Sequence, residues 1–164
     1  MKILPAGAVA VAVSLSFMSM AAAADAPFPR TGSGKFAAYA VCRSLGIIDM
    51  GTVGSQSSAD CVGIVKNKEA AKTLDNLAIH CLEESRARAD GYKFDGACIE
   101  TDADGDKIFV TYEGPESGPL AVIGGTGKYA GIEGSGTWAV TDAPGNTPTL
   151  FLFTLDYTVD WRFK

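Results

Sequence analysis

From Thr149 to the C-terminus the side chains alternate. The odd positions are Phe151, Phe153, Leu155, Tyr157, Val159, Trp161 and Phe163; from Thr154 on, the even ones are Thr154, Asp156, Thr158, Asp160, Arg162 and Lys164. A period of two over that length predicts a strand with one face in an apolar interior and the other in water. Leu150 and Leu152 break the rule at its start, which implies cover from a loop or a partner chain. Upstream, short apolar runs are broken by Gly, Asp, Asn and Pro. "KFAAYAVCR", "CVGIVK", "NLAIHCLEES", "DGACIETD", "DKIFVTYEG", "LAVIG" and "EGSGTWAVTD" read as seven more strands. "KNKEAAKTL" has helical composition without an apolar stripe and predicts a turn or two of helix at most. Eight or so antiparallel strands leave two architectures, a closed barrel or a sandwich.

The ends are of another character. Residues 1–24, with one early lysine, a short apolar run and a finish of Ala22-Ala23-Ala24, have the layout of a secretory signal peptide. Residues 25–34, "DAPFPRTGSG", read as a flexible arm, and 35–164 as a single domain. Loss of Lys2 with the leader takes the net charge from −5 to −6, since no acid leaves with it. That balance argues against nucleic acid and anionic lipid as partners, both of which need clustered cations. The expectation is an exported protein, periplasmic or secreted, with no membrane insertion after cleavage.

The four cysteines, Cys42, Cys61, Cys81 and Cys98, fit two disulfides in an oxidising compartment. No CxxC pair exists, and no metal or cofactor is expected. A hairpin symmetric about Ala89-Asp90 would set Cys81 opposite Cys98, leaving Cys42 to pair with Cys61. For the next hairpin, Asp104-Gly105 has the composition of a two-residue turn. It would bring Thr101 opposite Ile108 and place Ala97, Ile99, Ile108, Val110 and Tyr112 on the apolar face. His80, opposite Ile99, would point inward with them, and Glu100 would face water. A one-residue slip in either hairpin reverses these assignments.

Two motifs invite chemistry and fail it. In "TDADGDKIFVTYE", Asp102, Asp104, Asp106 and Glu113 match the spacing of an EF-hand loop, but Lys107 stands where its glycine must be and the flanks read as strands. In "GGTGKYAG", Gly124 to Gly131, no Walker pattern can be completed, and the dinucleotide pattern at Gly125, Gly127 and Ala130 lacks the helix a phosphate would sit on. The glycines Gly124, Gly125, Gly127 and Gly131 read instead as a structural turn between two strands.

"VIGGTGKYAGIEGSGTW" resembles the signature of the allene oxide cyclase and dirigent barrels. With Cys81, Cys98, "TDADGDKIF" and "TYEG" it is also similar to small exported bacterial proteins that share that barrel. The resemblance spans roughly residues 60–140 and implies an all-β, eight-stranded antiparallel β-barrel, here disulfide-braced. No catalytic residue of the plant cyclases finds a counterpart, so none is assigned. The leading functional expectation is a barrel binding a small apolar molecule, with His80, Tyr112 and Trp138 as ligand contacts. The alternatives are an isomerase or cyclase resembling the plant enzymes, and a structural protein that forms a homo-oligomer through Leu150 and Leu152.

Overall fold

The computed structural model describes residues 27–142, 147 and 149–164; the expected signal peptide lies outside them. Eight antiparallel strands follow in chain order: β1 (Thr31–Asp49), β2 (Gly54–Asn67), β3 (Leu77–Arg88), β4 (Gly91–Thr101), β5 (Lys107–Gly114), β6 (Ser117–Gly125), β7 (Ile132–Asp142) and β8 (Leu150–Phe163). β8 pairs back onto β1, so the sheet is a closed barrel and leaves no hydrogen-bonding edge. Phe153, Leu155, Tyr157, Val159 and Trp161 are buried as the alternation predicts. Leu152 lies outside, level with Val41 of β1, and among the described residues neither it nor Leu150 is covered.

The cysteines form a single transverse row. Cys42 is opposite Cys61, Cys61 opposite Cys81, and Cys81 opposite Cys98, all facing inward. The bonds join Cys42 to Cys61 and Cys81 to Cys98 at Cα separations of 4.0 and 4.1 Å. Those separations suit non-hydrogen-bonded antiparallel pairs. The β3–β4 hairpin is symmetric about Ala89-Asp90, as predicted, with Arg88 opposite Gly91.

The β4–β5 hairpin differs by one residue, and the difference reverses a face. Its loop runs from Asp102 to Asp106, so Glu100 stands opposite Ile108 and Cys98 opposite Val110. The cause is the Asp102 carboxylate, whose Oδ1 accepts the backbone N–H of Asp104 at 2.9 Å and of Asp106 at 3.0 Å. These bonds hold a wider turn than the Asp-Gly pair alone suggests. Ile108, Val110 and Tyr112 do point inward, but Ala97 and Ile99 point out, and Glu100 is buried.

Two further findings concern local structure. β1 begins at Thr31, inside the expected arm, and Phe28 ahead of it packs edge-on against Tyr129 with ring centroids 5.0 Å apart. "KNKEAAKTL" forms no helix, because Lys72, Leu74 and Asn76 all have left-handed backbone, at φ 52°, 55° and 59°. Asn67 organises this loop. Its backbone N–H donates to Asp75 Oδ1 at 2.8 Å, and its side-chain Oδ1 accepts from the Glu69 N–H at 2.7 Å.

Candidate functional site

Because the strands run strictly up and down, the loops fall into two groups at opposite ends. One end carries the β2–β3 loop, the Asp102–Asp106 turn, the glycine segment and the chain ahead of β1. It is closed. Leu74, Phe36, Trp161 and Ile132 leave a void of about 10 Å³ there, too small to matter for binding.

The glycine segment belongs to this closure. After Gly125, a 3₁₀ turn over Gly127–Tyr129 leads into β7. Gly127 has φ 53°, and a side chain there would run into the Asp106 carboxylate. Lys128 Nζ lies 2.7 Å from Asp102 Oδ2 and donates to Asp104 Oδ2 at 2.6 Å, which holds its ammonium well above its usual pKa range. The one cation of the glycine segment is therefore held by the acidic turn, and the two loops pin each other.

The opposite end carries the four hairpin connections, and two of the hairpins extend beyond the barrel. Ile47, Ile48 and Val53 on the β1–β2 hairpin are exposed, Ile48 to 66%. Between the inner faces of β1–β4 and β8 lies a recess of about 220 Å³, with Ser57, Ser85, Phe94 and Phe151 on its walls and Glu83 within it. Ser57 and Ser85 share a hydroxyl hydrogen bond of 2.6 Å. Phe94, Tyr112 and Trp138 form a mutually contacting trio, with centroids 5.3 to 5.7 Å apart.

Glu83 is the unusual group here. It follows Leu77, Ile79 and Cys81 in strict alternation, so its side chain points inward and is only 3% exposed. Across the sheet it shares a row with Gly96 and Tyr112. Gly96 has no side chain, and a Cβ there would come within 2.5 Å of the Tyr112 hydroxyl. That gap lets the Tyr112 hydroxyl cross β4 and donate to Glu83 Oε1. Glu83 Oε2 is buried with no hydrogen-bond partner among the described residues. Burial pushes the Glu83 carboxyl up to about 7, although the Tyr112 bond favours its charged form. The Tyr112 hydroxyl is in turn pushed far up, by burial first and by the Glu83 charge second.

A second pair sits deeper. Tyr157 donates to Glu100 Oε1 at 2.9 Å, and burial raises this carboxyl too to about 7. Both acids border an apolar internal cavity of about 20 Å³. This space holds at most a single water, so the barrel's waist is filled by its own side chains.

The expected site residues thus separate. Tyr112 is inside, next to Trp138, whose indole N–H donates to the Glu113 carbonyl at 3.1 Å. His80 is on the outer wall, its side chain 58% exposed, with Nε2 2.7 Å from Asp60 Oδ1. Its inward placement rested on the same misassigned face as Ile99. The two buried glutamates take the interior position expected of His80.

No protein-family model and no curated protein matches the chain. Among solved structures, it is similar to a pterocarpan synthase dirigent protein, with a TM-score of 0.51 at 11% identity, covering 83% of this chain and 88% of that one. At that identity the likeness is one of fold, and the eight-stranded barrel is what the two share.

Proposed function

We propose that this protein is an exported binding barrel that holds a small, largely apolar molecule in the recess at its open end. The observation that carries the reading is Glu83, a carboxyl buried with one oxygen unpartnered, set among aromatic side chains where a ligand's single polar group would meet it. A cavity of roughly 150 Å³ holds benzene. The recess, at about 220 Å³, therefore suits one ring with a short arm. Export is supported by the two disulfides, and among the described residues no helix is long and apolar enough to cross a membrane.

The test is a native mass of protein taken from its producing cells, compared with its denatured mass. A bound molecule appears as an excess lost on denaturation, and Ser85→Trp, which fills the recess, removes it. An excess that survives Ser85→Trp would place the ligand elsewhere and overturn the reading.

The same carboxyl gives the enzymatic alternative its one support. An acid held near neutrality is suited to general acid catalysis, as an isomerase or cyclase would need. Under that reading Glu83→Gln abolishes turnover of a candidate substrate and leaves its binding intact. The homo-oligomer rests on the outer wall, where Val62, Val41 and Leu152 form an exposed apolar row across β2, β1 and β8. Light scattering at micromolar concentration tests it, with Leu152→Glu expected to return any oligomer to monomer.

A further inference from the structure

We propose that the recess selects a small organic cation, a protonated amine or quaternary ammonium carried on one apolar ring. The inference rests on the open end being a binding site and adds the charge of what it binds.

The lining has a consistent chemistry. The Glu83 carboxyl and three rings, Tyr92, Phe94 and Phe151, border the space together with serine hydroxyls, and among the described residues no lysine, arginine or histidine does. Lys93, between Tyr92 and Phe94, is exposed on the face of β4 opposite to Phe94, and the arginines around the recess are paired. Arg86 is 2.5 Å from Asp95, Arg88 donates to the Ser55 and Ala87 carbonyls at 2.7 and 3.0 Å, and Arg43 lies 3.5 Å from Asp60. Aromatic faces attract cations and offer little to anions. An anionic ligand would meet no positive charge there and would stand against the Glu83 carboxyl.

Glu83 completes the argument. The groups facing it are the Tyr112 hydroxyl from β5, the Cys42–Cys61 disulfide from β1 and β2, whose sulfurs lie within 4.8 Å of a Glu83 carboxyl oxygen, and, across the small cavity they share, the Glu100–Tyr157 pair from β4 and β8. On its own strand and the next stand Glu84 and the Arg86–Asp95 pair. None of these supplies a free positive charge. Since Oε1 accepts the Tyr112 hydroxyl, the proton of the neutral acid sits on Oε2. A cation entering the recess favours the carboxylate, so that proton passes to the buffer. A protonated amine then donates an N–H to Oε2, and a quaternary ammonium balances the charge without a hydrogen bond.

The experiment is calorimetric titration of the protein at pH 6 with benzyltrimethylammonium, benzyl alcohol and benzoate, in two buffers of different ionisation enthalpy. The expected result is that benzyltrimethylammonium binds about tenfold tighter than benzyl alcohol, with release of close to one proton per ligand. Glu83→Gln abolishes both the preference and the proton release. Phe94→Leu, which removes only a ring, lowers the preference about threefold and serves if Glu83→Gln does not fold. If benzyl alcohol or benzoate binds as tightly as the ammonium, the recess stands as a binding site and the cation inference falls. If none of the three binds, both readings fall.

Discussion

The two ends of this barrel are built from the same strands and finished in opposite ways. At one end, the β2–β3 loop, the glycine segment and the chain before β1 bring Phe28, Leu74, Tyr129 and Trp161 together over the interior, and the Asp102–Asp106 turn is pinned by Lys128 from the glycine segment. At the other, hairpins run on past the barrel with apolar side chains in water, and a recess remains between them. The closed end spends its aromatic residues on packing. The open end leaves several of them, Phe94 and Phe151 among them, half-buried around a carboxyl with one oxygen unpartnered among the described residues. The difference is what the binding proposal rests on: the waist is filled, and room remains at the one unfinished end.

The largest expected effect separates the ends by packing. Trp161→Ala at the closed end should cost about 3–5 kcal/mol, as deletion of a buried aromatic side chain does. Phe94→Ala at the open end should cost only about 1–2 kcal/mol, since its ring is partly exposed already. Urea denaturation of both variants checks this, and equal costs would remove the distinction.

Acidity comes next, with one buried carboxyl near each end. Glu83 and Glu100 have folded values of about 7, above the ordinary 4.5, because burial disfavours their charge. The folded state therefore holds more protons between these values. Each group's contribution is fully present below about pH 4.5 and is lost as pH rises through 7, roughly 3 kcal/mol apiece. Asp75, held low chiefly by the Asn67 backbone N–H, and Glu133, held low by Lys164 and Arg162, act in the other sense, and only at the acid end of the carboxylate range. Urea midpoints should thus fall from pH 5 to pH 8. Glu100→Gln should remove the closed end's share and Glu83→Gln the open end's.

Smaller effects test the loops and the outer wall. Gly127→Ala should cost about 1–2 kcal/mol, from left-handed backbone and the Asp106 contact. His80→Ala should change stability by less than about 0.5 kcal/mol, because its pairing with Asp60 is solvent-exposed. A large loss at His80 would mean that the outer wall contributes more than its exposure implies.

Much of this architecture was legible in local pattern. The alternation in β8 and the symmetry of the β3–β4 hairpin needed only near neighbours in sequence, and they gave the buried face and the Cys81–Cys98 bond. The β4–β5 turn did not, since Asp-Gly composition favours a two-residue loop while the actual turn depends on Asp102 and on Lys128, which lies 24 residues beyond Asp104. Glu100 was set on the outer face by that two-residue turn, and Glu83 was missed because a charged residue in an alternating strand reads as solvent-facing. Their partners, Tyr112 and Tyr157, stand 29 and 57 residues away. A usable signal did exist. Disulfide cysteines are among the most buried residues, and Glu83 and Glu100 share the parity of Cys81 and Cys98, so placing the disulfides inside places the acids with them.

The most direct test of the contrast between the ends is a two-dimensional amide NMR titration with a panel of single-ring compounds that includes benzyltrimethylammonium. The account predicts shifts concentrated at Ser57, Glu83, Ser85, Phe94 and Phe151, with the signals of Leu74, Tyr129 and Trp161 unmoved. Shifts centred on the closed end, or none with any compound, would contradict it.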